Sequence, residues 1–483
     1  MSHGTTRSTC PLPPVGPKSC DARCDCRSLR FGDAKVAHNF ALCKKNPKNF
    51  SNFVSARFPA HRKPDDKNRI LEHQHDEYKN PPDPDELPPV RRLGAWLISL
   101  GAYLGNTLKF DGLQIGSFFA TMGIASLFMP AVMGIIADRW IPAQRLLGLC
   151  HLFAAGFITL AATRTDYNSL YTLVLLSVMF YMPTIALSNS VAYNALEKAG
   201  LDTVTHFPPI RVWGTVGFIC AMWVVDLGKM GLSATQLYFS ATLGLILGLY
   251  SFTLPNCPIN RSGGGKSIVD LLGLRAFALF KQRKMAIFFI FSMLLGMSLQ
   301  ITNAFADGYI KSFGDTGIHG AKYLGTFGVE HSTILISLSQ ISETLCILLI
   351  PFFLKRFGIK RVMLIAMFAW VLRFALLGAG NPGPGVWMFI LSMIVYGVAF
   401  DFFNISGSLF VEKETSAAIR SSAQGVFMIM TNGLGALIGS YLAGWVVNHY
   451  GWPLSWYLFA GFSLVVAIVF AVIFKYKHDP NRI

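Results

Sequence analysis

Glu343 stands in an apolar run, with about ten apolar-rich residues on either side. Gln340 precedes it by one helical turn in Ser339-Gln-Ile-Ser-Glu343, so amide and carboxyl share a helix face. An ionisable side chain at mid-membrane costs about 2.5–3.5 kcal/mol on insertion scales and marks function by default. A carboxyl there can carry a proton, with a hydrogen-bonding amide beside it; a pair that only glues helices together is the rival reading. A second carboxyl lies in Tyr396-Gly-Val-Ala-Phe400-Asp401-Phe-Phe-Asn404. Tyr396, Phe400 and Asn404 recur at i, i+4 and i+8 on one face, with Asp401 beside it. Aromatic faces stack on a planar ring while carboxylate and amide fix its edge. Gln300 and Asn303 are again i,i+3. Two amides suit an uncharged ligand with several hydroxyls or ring nitrogens, with helix–helix glue as the rival. Arg211, Thr215 and Phe218 form one stripe after Pro208-Pro209. Arg211 is so close to the start of its run that snorkelling to the surface is the alternative.

Other features read as structure. Gly435 and Gly439, and Ser440 and Gly444, have the spacing of close helix contacts. Glu412-Lys413-Glu414 reads as a solvated face, and His331 and Asp307 as interfacial groups. No P-loop, H-E-x-x-H or G-x-S-x-G pattern occurs, so an enzyme or an ATP-driven machine is not expected.

These side chains need apolar elements to hold them. Of 483 residues, 52% are hydrophobic and 14% charged, against about 25% charged in soluble domains. A chain this long and this poor in charge cannot cover a water-facing surface, which excludes an ordinary soluble enzyme, a disordered protein and a disulfide scaffold. The apolar runs predict twelve helices near 93–108, 113–137, 144–164, 168–192, 209–228, 233–254, 285–310, 329–354, 360–379, 384–408, 420–446 and 453–475, all but the first long enough for a bilayer needing about 20 residues. The expected fold class is all-α integral membrane.

The net charge of +16 raises nucleic acid as a partner, but the distribution argues against it. From residue 93 on, 18 basic residues fall in the even loops and C-terminus and five in the odd loops. By the positive-inside rule both termini are cytoplasmic.

Residues 1–90 differ in kind. They are basic and Pro-rich at both ends, and carry Cys10, Cys20, Cys24, Cys26 and Cys43. The cysteine spacing is too irregular for zinc, and no His pair sits at finger spacing. A disordered extension is the reading. Arg91-Arg92 stand directly before a first span of only 16 residues, which points to a wrongly assigned start. The remaining chain divides into 91–254, a cytoplasmic loop at 255–284, 285–476, and a tail at 477–483. The two long parts are six-helix halves. Gly134-Ile-Ile-Ala-Asp138-Arg139 after span 2 is echoed by Pro351-Phe-Phe-Leu-Lys355-Arg356 after span 8.

The first of these matches the start of the G-x-x-x-D-R loop motif of the major facilitator superfamily, although its later basic part is replaced by Trp140-Ile141-Pro142. Longer strings are more specific. Thr107-Leu-Lys-Phe-Asp-Gly112, Phe207-Pro-Pro-Ile-Arg-Val-Trp-Gly-Thr215, Phe288 to Gly296, Gln300-Ile-Thr-Asn303, Ser339 to Leu345, Ser392 to Tyr396 and Phe400 to Gly407 are those of a family. Residues 93–478 resemble the bacterial nucleoside:proton symporter family of that superfamily. Only the N-terminal ninety residues and the start of span 1 depart from it.

The resemblance implies a secondary transporter with twelve transmembrane helices in two six-helix halves, rocking about a midplane site. It would import purine and pyrimidine nucleosides across the inner membrane of a bacterium, driven by a proton gradient, with no cofactor and no metal. Nucleosides, protons and the lipid bilayer would be its partners, and a monomer its state. The resemblance places Arg211, Thr215, Phe218, Gln300, Asn303, Gln340, Glu343, Tyr396, Phe400 and Asp401 in the substrate site. Glu343 and Asp401 would couple the proton. A proton-coupled sugar or drug porter of the same fold is the alternative.

Overall fold

The computed structural model describes residues 94–201, 203–257, 259, 274–316, 321–416 and 419–476. The expected extension 1–90 and tail 477–483 lie outside these, as does most of the 255–284 connection.

Every regular element in the described residues is helical. Eight helices are long and apolar enough to cross a membrane. One, Ser332–Ala379, has 48 residues. A continuous helix of that length would extend roughly 70 Å, more than twice the hydrocarbon thickness. It breaks at Gly358, whose φ of 74° and ψ of 165° are non-helical and suit only glycine. The two arms are α8 (332–357) and α9 (359–379). The sequence placed a loop at 355–359; a single glycine makes the reversal, and Lys355 and Arg356 complete α8.

The other long helices are α2 (Gly112–Arg139), α3 (Ala143–Ala162), α4 (Tyr167–Lys198), α7 (Arg283–Ser312), α10 (Val386–Glu414) and α12 (Leu454–Ile473). The eighth is α11, which runs from Arg420–Met428 through a π-helical stretch, Ile429–Gly435, into Ala436–Tyr450. α5 (Thr203–Leu227) and α6 (Thr235–Ser251) complete the first half. α1 is regular only over Leu100–Ala102 and continues as a π-helix, Tyr103–Thr107. With α8 and α9 separated, twelve spans are traced among the described residues. The 255–284 connection is not all loop, because Leu274–Lys281 forms a 3₁₀-helix.

Local chemistry fixes the helix starts. Asp111 and Gln114 form a reciprocal capping box at α2, which satisfies two otherwise orphaned backbone N–H groups. Asp166 caps α4 through the Ser169 N–H. The same hydrogen bonding from Ser169 holds its carboxyl below the usual range.

Lipid tails supply no hydrophobic force between helices, so close packing and hydrogen bonds must do so. Small residues permit this between the halves. A Cβ on Gly101 would lie 2.1 Å from the Ala304 carbonyl oxygen, and one on Gly116 would lie 2.3 Å from that of Ser440. Helix pairs α1–α7 and α2–α11 therefore meet backbone to backbone. The small-residue stripe of α11 is accounted for in the same way. Gly439 abuts Met297 of α7, Gly435 abuts the Met293 carbonyl, and Gly444 abuts Gly112.

Hydrogen bonds between the halves have a clear polarity. Gly112 donates its N–H to Asn448 Oδ1 at 2.6 Å. Trp223 Nε1 donates to Ser337 Oγ at 2.9 Å. Asp226 at the end of α5 holds His331 Nδ1 at 2.6 Å and accepts the Thr333 N–H at 3.2 Å. All lie toward the end that carries residues 108–111 and 228–233. Three of these four bonds join the end of α5 to α8 and to His331 directly before it. His331 and Asp307 are thus not merely interfacial. Asp307 accepts from Ser332 Oγ at 2.5 Å and Thr333 Oγ1 at 3.2 Å and pairs with Lys311 at 2.8 Å. Glu412-Lys413-Glu414 is not simply solvated either, since Glu414 pairs with Lys284 at 2.6 Å and Glu412 with Arg420 at 3.5 Å.

Candidate functional site

Gly397 explains how α8 and α10 come close enough to share a site. A Cβ there would meet the Ser342 carbonyl oxygen at 2.5 Å, and the Ser342 hydroxyl donates to the Ile394 carbonyl. Ser342 adjoins Glu343, and Gly397 adjoins Tyr396. The contact thus brings the two most informative stretches of the sequence together.

Tyr396 is the hub. It is 5% exposed, hydrogen-bonds Gln340 of α8, and lies within electrostatic range of Glu343 of α8, Arg373 of α9 and Asp401 of its own helix. Phe400 lies parallel to its ring at 5.6 Å and Trp370 meets it edge-on at 6.0 Å. Asp401 is buried and lies within electrostatic range of Cys346 on α8. Glu343 is half-buried. Both carboxyls thus belong to one polar cluster rather than to the lipid-facing surface. Such a cluster can hold a proton, and its amide and phenol can direct hydrogen bonds to an uncharged polar ligand.

The remaining expected residues are placed less completely. Gln300 on α7 is 5% exposed, and its Oε1 has no hydrogen-bond partner among the described residues. Asn303 is half-buried one turn further on. On α5, Phe218 is buried and Thr215 half-buried. No described contact joins these four to the α8–α10 cluster. Arg211 falls on α5, and its side chain lies outside the described residues. Beside Phe400 is a small cleft lined by Leu295, Leu299, Trp370, Asn404 and Thr431; Phe400 is its sole member of the ten.

Arg373 was missed by the sequence reading. It is 2% exposed and sits 4.6 Å from the centre of the Tyr396 ring. The signal was a subtraction. Of 25 basic residues from position 93 on, 23 fall between the apolar runs or at their ends, which leaves Arg211 and Arg373 further inside spans. The Asp226–His331 pair gave no such signal, because 105 residues separate its members.

Twelve apolar helices in two halves, with a polar cluster inside the second, have the architecture of a membrane transporter. Comparison with known proteins makes the class specific. The family model described as nucleoside H+ symporter matches residues 92–479, and the chain belongs to that family. It is 51% identical over 392 residues to nucleoside permease NupG of Escherichia coli (strain K12), covering 80% of this chain and 93% of that protein. It is 50% identical over 397 residues to the xanthosine permease of the same organism, covering 81% and 94%. A crystal structure of a mutant of the nucleoside transporter NupG superposes with a TM-score of 0.77 at 50% identity, covering 80% of this chain and 97% of that one.

Proposed function

We propose that this chain imports nucleosides together with protons across the cytoplasmic membrane, exposing one site alternately to the two sides. The observation that supports this reading is the proximity of half-buried Gln340 and Glu343 on α8 to buried Tyr396 and Asp401 on α10. A proton neutralises Glu343 or Asp401, and two neighbouring carboxyls titrate as a coupled pair. The amides of Gln340, Gln300 and Asn303 and the Tyr396 hydroxyl bond ribose hydroxyls and base edge. The buried, unpartnered Gln300 Oε1 is an acceptor suited to a ligand N–H or O–H. Tyr396 already has Arg373 over its ring, so Phe218 and half-buried Phe400 are the better platforms for the base. Thr215 and Arg211 supply the facing wall from α5. Residues 91–254 and 285–476 are the moving units.

Even-loop positive charge supports an orientation with both termini in the cytoplasm. In that orientation the bonds between Asp226, His331, Thr333, Trp223 and Ser337 close the outer end. Asp226→Ala removes the acceptor for His331 and the Thr333 N–H. A buried hydrogen bond is worth about 1–3 kcal/mol when one partner is left unsatisfied. Initial uptake is expected to fall severalfold while the protein still reaches the membrane. An unchanged rate would show that this contact does not stabilise the closed outer gate.

The test of function is uptake of labelled uridine and adenosine into a transport-deficient bacterial host, with and without a protonophore. Accumulation abolished by the protonophore is expected. Accumulation of a labelled sugar in place of either nucleoside would overturn the assignment.

A further inference from the structure

A buried guanidinium is costly, and its neighbours show what holds this one. Arg373 Nη1 donates to the Ser392 carbonyl at 2.7 Å and reaches Ser339 Oγ at 3.4 Å. Ser392 Oγ returns a bond to the Arg373 carbonyl at 3.0 Å. The side chain therefore bridges α8, α9 and α10. Its Nε has no partner among the described residues, and none of the described ion pairs includes it. If bridging helices were its whole role, a neutral amide would serve without burying a charge. The distinguishing feature is the ring beneath it. The guanidinium lies 4.6 Å from the centre of the Tyr396 ring, while Trp370 meets the same ring edge-on at 6.0 Å. A desolvated cation over an aromatic face is a strong and directional contact.

We propose that Arg373 is a positioning residue for substrate binding: with Trp370 it fixes the Tyr396 ring so that the phenol stays turned toward Gln340, Glu343 and Asp401. Arg373 does not itself touch the substrate. It acts through the Tyr396 hydroxyl, and Ser392 holds it in register. This role rests on the nucleoside reading of the site.

The test is a double-mutant cycle in uridine binding to purified full-length protein, measured by titration calorimetry and compared with uptake per inserted protein. R373M is expected to weaken binding by about tenfold. R373K, which keeps the charge but loses the planar fork, is expected to weaken it by about threefold. Y396F removes the hydroxyl and is also expected to weaken binding. In the Y396F background, R373M should add less than about a twofold loss, because the group it aims is already gone. Equal fold-losses in the two backgrounds would overturn the proposal, as would R373M binding with wild-type affinity. Should R373M fail to insert, R373K completes the same cycle under the same criteria. A wild-type chain that binds and transports no nucleoside would instead overturn the functional reading, so the two failures are distinct.

Discussion

Asp401→Asn is expected to abolish proton-driven accumulation of nucleoside, by about a hundredfold or more, while leaving exchange of labelled for unlabelled nucleoside measurable. Asparagine keeps the size of the side chain and its capacity to accept a hydrogen bond, but it cannot take up a proton. Asp401 is buried on α10 beside Tyr396 and within electrostatic range of Cys346 on α8. A carboxyl in such a place marks function by default, and the cluster offers Glu343 as its partner. Glu343→Gln is the companion variant. Because interacting carboxyls share macroscopic titration steps, the diagnostic readout is the ratio of accumulation to exchange, measured for each single variant and for both together. Full accumulation by Asp401→Asn, sensitive to a protonophore as in the wild type, would remove Asp401 from the coupling mechanism.

Gly397→Val is expected to have an effect of similar size for a different reason. The first added carbon would stand 2.5 Å from the Ser342 carbonyl oxygen and 2.6 Å from its carbon. Both are backbone atoms of a packed helix and cannot turn aside as a flexible side chain would. Overpacking costs about 1–3 kcal/mol in cores that can adjust, and this contact has little room to adjust. The wedge separates Ser342 from Gly397 and with them Glu343 from Tyr396. Uptake normalised to inserted protein should therefore be nearly lost, with a smaller defect for Gly397→Ala. Gly156 and Gly461 have open space where a Cβ would go, so alanine at either position should leave uptake near wild type. Wild-type uptake by Gly397→Val would show that close approach of α8 and α10 does not build the site.

The two variants probe different levels of legibility. Asp401 stood out in the sequence because an acidic residue amid Phe400, Phe402 and Phe403 conflicts with its surroundings. Gly397 did not, since nothing in Tyr396-Gly-Val identifies which helix it abuts. The same division runs through the rest of the chain. Gln300, Gln340 and Glu343 were visible as polar residues in apolar runs. Arg373 was visible only by subtraction, and its place over Tyr396 was not visible at all. His331 and Asp307 looked like interfacial residues until α5 and α8 were placed side by side.

The amino-acid sequence alone determined the twelve spans, the all-helical class and the shortlist of intramembrane carboxyls and amides. Bilayer thickness turns hydropathy into a one-dimensional ruler, and each polar residue within a span is conspicuous against it. The tertiary structure alone decided that Gly358 makes the α8–α9 reversal, that Asp226 meets His331, and that Arg373 lies over the Tyr396 ring. Those outcomes depend on how each helix is rotated and which distant helix it touches, and close packing at small residues sets both.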